Sequence, residues 1–512
     1  MSAKQNNGHW ILAATILASS MAFIDGTVVN VALPFLQQEL NATAIGVQWV
    51  VESYSLFLAA LLLVGGSLGD HYGRRRIFLI GIFIFAIASA ACGFSLNIGQ
   101  LIVARAIQGV GGALLVPGSL AIISASFNEE QRGRAIGTWS GFSAITTAIG
   151  PVLGGWLVEH LTWRAVFFLN LPLAVAVVLI SLWRVPESRE KDVTGPLDWS
   201  GAALATISLG ALVYGLIESS RVGFSNPVVA ACLIGGVVVL GGFVYFESRV
   251  KNPMVPLVLF KSTNFAGANL LTLFLYAALS GTFFFFTLNL IQVQGYSATA
   301  AGSALLPFVA LMFSLSRWSG GLVDRFGPRL PLTIGPVIVA IGFALFALPS
   351  LNSNYWTSFF PAVVVLGFGM TICVAPLTTT VMGSVDSEQA GVASGINNAV
   401  SRAAGLIAIA VFGVVMLHSF GHGLSERLQN LSIKDEVRTS LEKDFVQLGG
   451  IKPLEGLDKA TTEGVRTEIK NAFVSSFRLI MFLSSALALA SAVSAWFFIG
   501  RSRLRSGAAK SG

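Results

Sequence analysis

Charge is what this chain has least of. Asp, Glu, Lys and Arg together make up 11% of its 512 residues, and histidine occurs five times. A soluble chain of this length divides into domains with ordinary surface charge, so a soluble multidomain protein is excluded. The three cysteines, Cys92, Cys232 and Cys373, lie far apart in apolar surroundings. Their spacing suits no metal, their odd number gives no complete disulfide set, and packing is their expected role. No metal site and no cofactor is expected. GxxxxGK[ST] and HExxH are missing as well, and no nucleophile elbow stands in a suitable context. Their absence argues against an ATP-driven machine and against an enzyme, and leaves an ion gradient as the driving force.

Apolar residues fill the space that charge leaves. They are 54% of the chain, the mean hydropathy is +0.75, and runs of about 20 residues recur along nearly the whole length. Such runs do not alternate as barrel strands do, so an all-α polytopic membrane protein is expected. The net charge of +7 sits in short loops between the runs, which points to a membrane topology and away from nucleic acid. The first run, from Trp10 to Pro34, exceeds a signal-peptide core and reads as a retained span.

Fourteen spans are expected, near 10–34, 47–66, 77–96, 99–122, 135–157, 164–183, 199–217, 228–247, 265–291, 302–322, 331–350, 357–381, 392–417 and 474–499. Loops on the N-terminal side hold Arg74, Arg75, Arg76, Arg132, Arg134, Arg184, Arg249 and Arg329, while the opposite short loops hold Arg221 and little else. Both termini are therefore expected in the cytoplasm. The segment 418–471 reads as a small outer cap, a solvated helical hairpin with mixed charge.

Three motifs stand out. GSLGDHYGRRR starts at Gly66 and GGLVDRFGPR at Gly320, each after the second span of its half. Gly66, Asp70, Gly73, Arg74 and Arg75 in the first copy, and Asp324, Arg325 and Gly327 in the second, form an expected cytoplasmic gate. Glycines allow the tight turn, and Asp70 is placed to accept from the amides at a neighbouring helix start. Pro328 replaces a basic residue in the second copy. LIVARAIQGVGGA puts Arg105 inside the fourth span with Gln108 three residues on, on the same face. An arginine there needs a carboxylate, carbonyl or water. Finally, Gly150, Pro151, Gly154 and Gly155 form GP-x-x-GG in the fifth span, a pattern for close helix approach and a hinge.

These motifs, with WRAVFFLNLP (163–172), PLDWSG (196–201) and GVASGINNAVSRAAG (391–405), resemble the fourteen-helix drug:proton antiporters of the major facilitator superfamily over nearly the full length. The resemblance implies two six-helix bundles, residues 1–183 and 265–512, joined by a linker, 184–264, with two inserted helices. It implies that GP-x-x-GG marks an antiporter and that Arg105 takes part in proton coupling. It also implies an inner (plasma) membrane location and a partner set of small-molecule substrate, protons and lipid. A monomer is expected, and an accessory export subunit is left open. Glu52 departs from the family, which more often has a small or hydroxyl residue there.

A rise of 1.5 Å per residue puts Asp25 roughly 4–5 Å, Glu52 roughly 7 Å and Arg105 roughly 8 Å outward of their spans' midpoints. Three ionisable groups then share one layer. The expectation is that Asp25 carries the proton and meets cationic substrate, while Glu52 modulates it or pairs with Arg105. Two alternatives remain: a fixed structural ion pair of Arg105 with either acid, and a hydrated, inert Glu52 at the outer rim. Proton-driven export of amphipathic, cationic compounds is the leading function. Transport of one metabolite, such as a sugar, amino acid or siderophore, is the second, and a membrane sensor or enzyme is disfavoured.

Overall fold

Each expected span falls on a helix, and no strand occurs among the described residues. A computed structural model describes residues 8–127, 129–189, 198–251, 253–385, 389–429, 431, 433, 435–451 and 459–500. The helices that position the site are α1 (Gly8–Glu39), α2 (Ala44–Tyr72), α3 (Arg74–Gly93), α4 (Ile98–Ser126), α5 (Glu129–His160) and α6 (Ala165–Arg184). There follow α7 (Trp199–Val222) and α8 (Pro227–Glu247), then α9 (Thr263–Leu288), which ends in a π-helical turn, Asn289–Val293. Next come α10 (Ala298–Ser303), α11 (Leu306–Gly320), α12 (Leu322–Phe326), α13 (Arg329–Phe346) and α14 (Phe360–Gly383). The chain ends in α15 (Ala390–Gln429), α16 (Asp435–Lys443) and α17 (Lys459–Phe498). Thirteen described helices are long and apolar enough to cross a membrane. The expected span 135–157 lies within α5, several of whose side chains fall outside the described residues.

Helix starts follow local chemistry. Thr43 accepts from the Gly46 amide at α2, Asn97 from Gln100 at α4, and Asp198 of PLDWSG from Gly201 at α7, at 3.1, 2.9 and 2.7 Å. Each satisfies an amide that the helix itself cannot.

Two compact units form. Met1–Met254, Phe283–Ala304 and Ile409–Phe477 make one, and Val255–Thr282, Leu305–Ala408 and Arg478–Gly512 the other. In the first, glycine lets α4 touch both α2 and α3. A Cβ on Gly65 would meet the Ala113 backbone, and one on Gly109 the Tyr54 carbonyl. Gly81 and Gly111 face each other across α3 and α4, and a Cβ on either would come within 3.0 Å of the other's carbonyl oxygen. The second unit repeats this. Gly335 follows Gly327 by the same interval that separates Gly81 from Gly73, and Gly335 and Gly369 face each other across α13 and α14 in the same way. Gly73 and Gly327 themselves adopt φ of +108° and +74°, which glycine permits without strain. The repeat seen in the sequence as a loop motif thus extends into a pair of helix contacts.

The segment 418–471 departs from a solvated hairpin. Its flanks are the ends of α15 and α17, joined by Arg427 and Glu468 at 3.2 Å, and the cap proper is α16 with a 3-10 turn, Phe445–Gly450. Leu441, Leu448 and Ile451 are buried, so the cap has an apolar underside that its mixed charge conceals.

Replacing Gly111 or Gly369 by alanine forces backbone apart, an overpacking cost of about 1–3 kcal/mol each. Thermal melts of the detergent-purified protein should show both variants destabilised. Gly235→Ala on α8, where a Cβ meets nothing within 4 Å, should melt with the parent.

Candidate proton and substrate site

Both ends of the stretch WRAVFFLNLP hold α1 in place. Trp163 Nε1 donates to Glu39 at 2.8 Å and Arg164 pairs with the same carboxylate, at the end of α1. At the other end, Asn170 Nδ2 donates to Asp25 Oδ1 at 3.2 Å and to Ser89 Oγ at 3.0 Å. Asp25 is thereby fixed opposite α4. Arg105 Nη1 meets Asp25 Oδ2 at 2.5 Å and also donates to Gln108 Oε1 at 2.9 Å, while Gln108 Nε2 donates to Asp25 Oδ1 at 2.8 Å. Arg105 Nε donates to the Val50 carbonyl at 3.1 Å, and its guanidinium lies 4.2 Å from the centre of the Tyr54 ring. Asp25 and Gln108 are wholly buried, and Arg105 and Asn170 are 1% exposed.

Burying an ion pair costs several kcal/mol per charge unless hydrogen bonds satisfy what the pair leaves over. Here an amide, a second amide and a backbone carbonyl do so. The carboxylate still has only one full positive charge against it.

Glu52 stands apart. It is wholly buried, which overturns the hydrated rim position, and neither carboxylate oxygen has a hydrogen-bond partner. It also does not pair with Arg105, whose bonds go to Asp25, Gln108 and Val50. Helix geometry explains this. Glu52 shares a face with Trp49 and Leu56, which meet Tyr214 and Gly210 of α7, whereas Tyr54 lies about 200° further round and faces Arg105. One layer of depth therefore holds two separate sites.

At the loop motif, Asp70 pairs with Arg74 at 2.8 Å. The carboxylate that accepts from a helix start is instead Glu187, which takes the Arg75 and Arg76 amides at 3.0 and 3.1 Å. It offsets the three arginines crowded at the positive end of α3. Gly66 faces Pro117, and Gly73 leaves room for Glu187. In the second copy Gly327 caps α12, Arg325 lies 5.3 Å from the Phe326 ring, and the Asp324 side chain lies outside the described residues.

GP-x-x-GG has two faces. Gly150 and Gly154 pack on Thr27 and Val28 of α1, whereas Gly155 packs on the Ala298 backbone and the Pro151 carbonyl meets Gly302, both in α10. One turn on, Glu159 accepts from the Thr299 amide at 3.2 Å and hydroxyl at 2.5 Å. Those bonds from Thr299 hold the exposed Glu159 carboxyl below the usual range. A depressed carboxyl stabilises the contact above its usual range and loses that as pH falls through its lowered value. The protection factor of the Thr299 amide against hydrogen exchange should accordingly fall in acid, and Glu159→Gln should remove this pH dependence.

Sequence reasoning named Asp25, Arg105 and Gln108 and missed Asn170 and Glu187. The signal for Asn170 was an amide in an otherwise apolar run, and for Glu187 an acid among arginines.

The Major Facilitator Superfamily model matches residues 15–409. The chain is 33% identical over 504 residues to multidrug resistance protein Stp of Mycobacterium tuberculosis, covering 96% of this chain and 92% of that one. It is 31% identical over 491 residues to the tetracenomycin C resistance and export protein of Streptomyces glaucescens, covering 95% and 90%. Among solved structures, an inward-facing bacterial homologue of the human lysosomal transporter Spinster aligns with a TM-score of 0.64 at 16% identity, over 95% of this chain and 97% of that one. That likeness is one of fold.

Proposed function

The chain belongs to the major facilitator superfamily, and we propose that it exports amphipathic, cationic small molecules from the cell in exchange for protons. The observation that carries this reading is the buried Asp25–Arg105 pair, held by Gln108 and Asn170 inside membrane-spanning helices. Such a group is costly in a bilayer and marks an ion or substrate pathway. The names of the relatives support a drug as cargo.

The exchange follows from charge balance at one carboxylate. Asp25 can be neutralised by Arg105, by a proton or by a cationic substrate. Protonation on the outer side ends its attraction for Arg105 and for cargo together, and proton loss on the inner side restores both. Arg105 keeps Gln108 Oε1, the Val50 carbonyl and the Tyr54 ring while Asp25 is neutral, which offsets part of the cost of its unpaired charge. Neither oxygen of Glu52 has a hydrogen-bond partner, so a negative charge there is costly until a cation joins it. It serves as the second carboxylate for cationic cargo. Gly150, Pro151, Gly154 and Gly155 hold α5 against α1 and α10 as the hinge, and the Asp70 and Asp324 motifs form the gate at the other end.

We place the arginine-rich ends, and both termini, in the cytoplasm by the distribution of basic loops. Residues 1–183 and 265–512 are the two six-helix halves, and the inserted pair lies in 184–264.

In an efflux-deficient bacterial host, the protein should lower the accumulation of cationic dyes and lose this effect when a protonophore is added. Asp25→Asn should accumulate dye like the empty host. Glu52→Gln should still export but with a half-saturating dye concentration about tenfold higher, some 1.4 kcal/mol of binding. Efflux indifferent to the protonophore, or full proton-driven export by Asp25→Asn, would overturn the assignment.

A further inference from the structure

The 3-10 turn of the cap does not rest on the surface. Leu448, at its centre, is 3% exposed and has φ +54° and ψ −131°, a conformation that leucine avoids. Strain of this kind persists only where surrounding contacts impose it, and it gathers at gates and clamps. The contacts are on both sides of Leu448. Gln37 Nε2 of α1 donates to the Gln447 carbonyl at 3.0 Å, and Gln292 Nε2 donates to Gln37 Oε1 at 2.8 Å. A Cβ on Gly449 would sit 3.2 Å from the Gln292 Cβ. Gln292 itself belongs to the π-helical turn Asn289–Val293, and such turns recur at functional sites.

Beneath Leu448 lies a closed cavity of about 10 Å³, room for one water, walled by Gln37, Gln48, Phe284, Phe285 and Gln292 among aliphatic side chains. Gln48 is 3% exposed and donates to the Ile409 carbonyl at 2.9 Å, and the Gln292 Oε1 is buried without a partner. The lining holds amides and aromatic rings and no charged side chain. Gln48 stands one helical turn from Glu52, on the same helix face, so the cavity adjoins the carboxylate layer.

We propose that this closed cavity widens into the release site for the exported compound when the segment Phe445–Gly450 opens as its gate, with Leu448 as the plug. The proposal rests on the export function and orientation given above. Its ligand is an aromatic compound with hydrogen-bonding groups. Rings stack on Phe284 and Phe285, and the amides bond polar edges. Lacking a carboxylate, the site holds a cation less tightly than Asp25 or Glu52 does, which favours departure once Asp25 is protonated. Opening requires Gln447 to leave Gln37 and Leu448 to withdraw, and the strained backbone of Leu448 favours that step.

The test is a cysteine pair, Gln292→Cys with Gly449→Cys, in a Cys232→Ser background. The Cβ separation of 3.2 Å is slightly shorter than the roughly 3.5–4.5 Å of natural disulfides, so a small backbone adjustment suffices to form one. Dye export by the reduced pair sets the baseline and reports on the export reading itself. Oxidation should lower that rate about tenfold, as expected for a locked gate, and reductant should restore it. An oxidised, fully cross-linked protein that exports as fast as its reduced form would overturn the gate. A second measurement does not depend on the pair. Gln48→Cys should react faster with a membrane-impermeant maleimide added outside when Leu448→Gly is also present. An unchanged labelling rate would contradict the plug.

Discussion

A single buried ion pair organises this protein. Asp25 and Arg105 meet at 2.5 Å where neither is exposed to more than a trace of solvent, and the surrounding groups act to make that tolerable. Removing either partner from such a pair costs about 3–5 kcal/mol because the other is left uncompensated. The same cost makes the pair useful. In the proposed exchange, a proton on Asp25 changes the charge balance of the layer, while Gln108, Val50 and Tyr54 still hold Arg105.

The packing around the pair follows from its needs. Arg105 on α4 meets Asp25 on α1, and α4 is itself seated closely against α2 and α3 through Gly65, Gly109, Gly81 and Gly111. In a bilayer, helices gain little from burying apolar surface, so close backbone approach and hydrogen bonds supply the association. The second unit uses Gly335 and Gly369 for the same purpose but has no buried ion pair among its described residues. The scaffold is repeated, and the buried Asp25–Arg105 pair lies in the first unit.

Much of this was legible in the sequence. Spans follow from apolar runs, and the shared face of Arg105 and Gln108 follows from their spacing of three. Depth brought Asp25 to their level. Depth did not separate Glu52 from Arg105, because rise along a helix says nothing of the angle around it. Asn170 was hidden since it contributes one hydrogen bond from a stretch that reads as apolar. Glu187 was hidden because its partners are backbone amides, which carry no residue identity. The cap misled for a similar reason. Its charges are visible in sequence, but the burial of Leu448 depends on glutamines more than a hundred residues away.

The central claim is that the carboxylate of Asp25 exchanges a proton for cargo. Purified protein in weakly buffered detergent solution tests it directly. Addition of a cationic dye such as ethidium should release protons from the parent protein, and Asp25→Asn should bind without release. Equal proton release from both proteins would contradict the account.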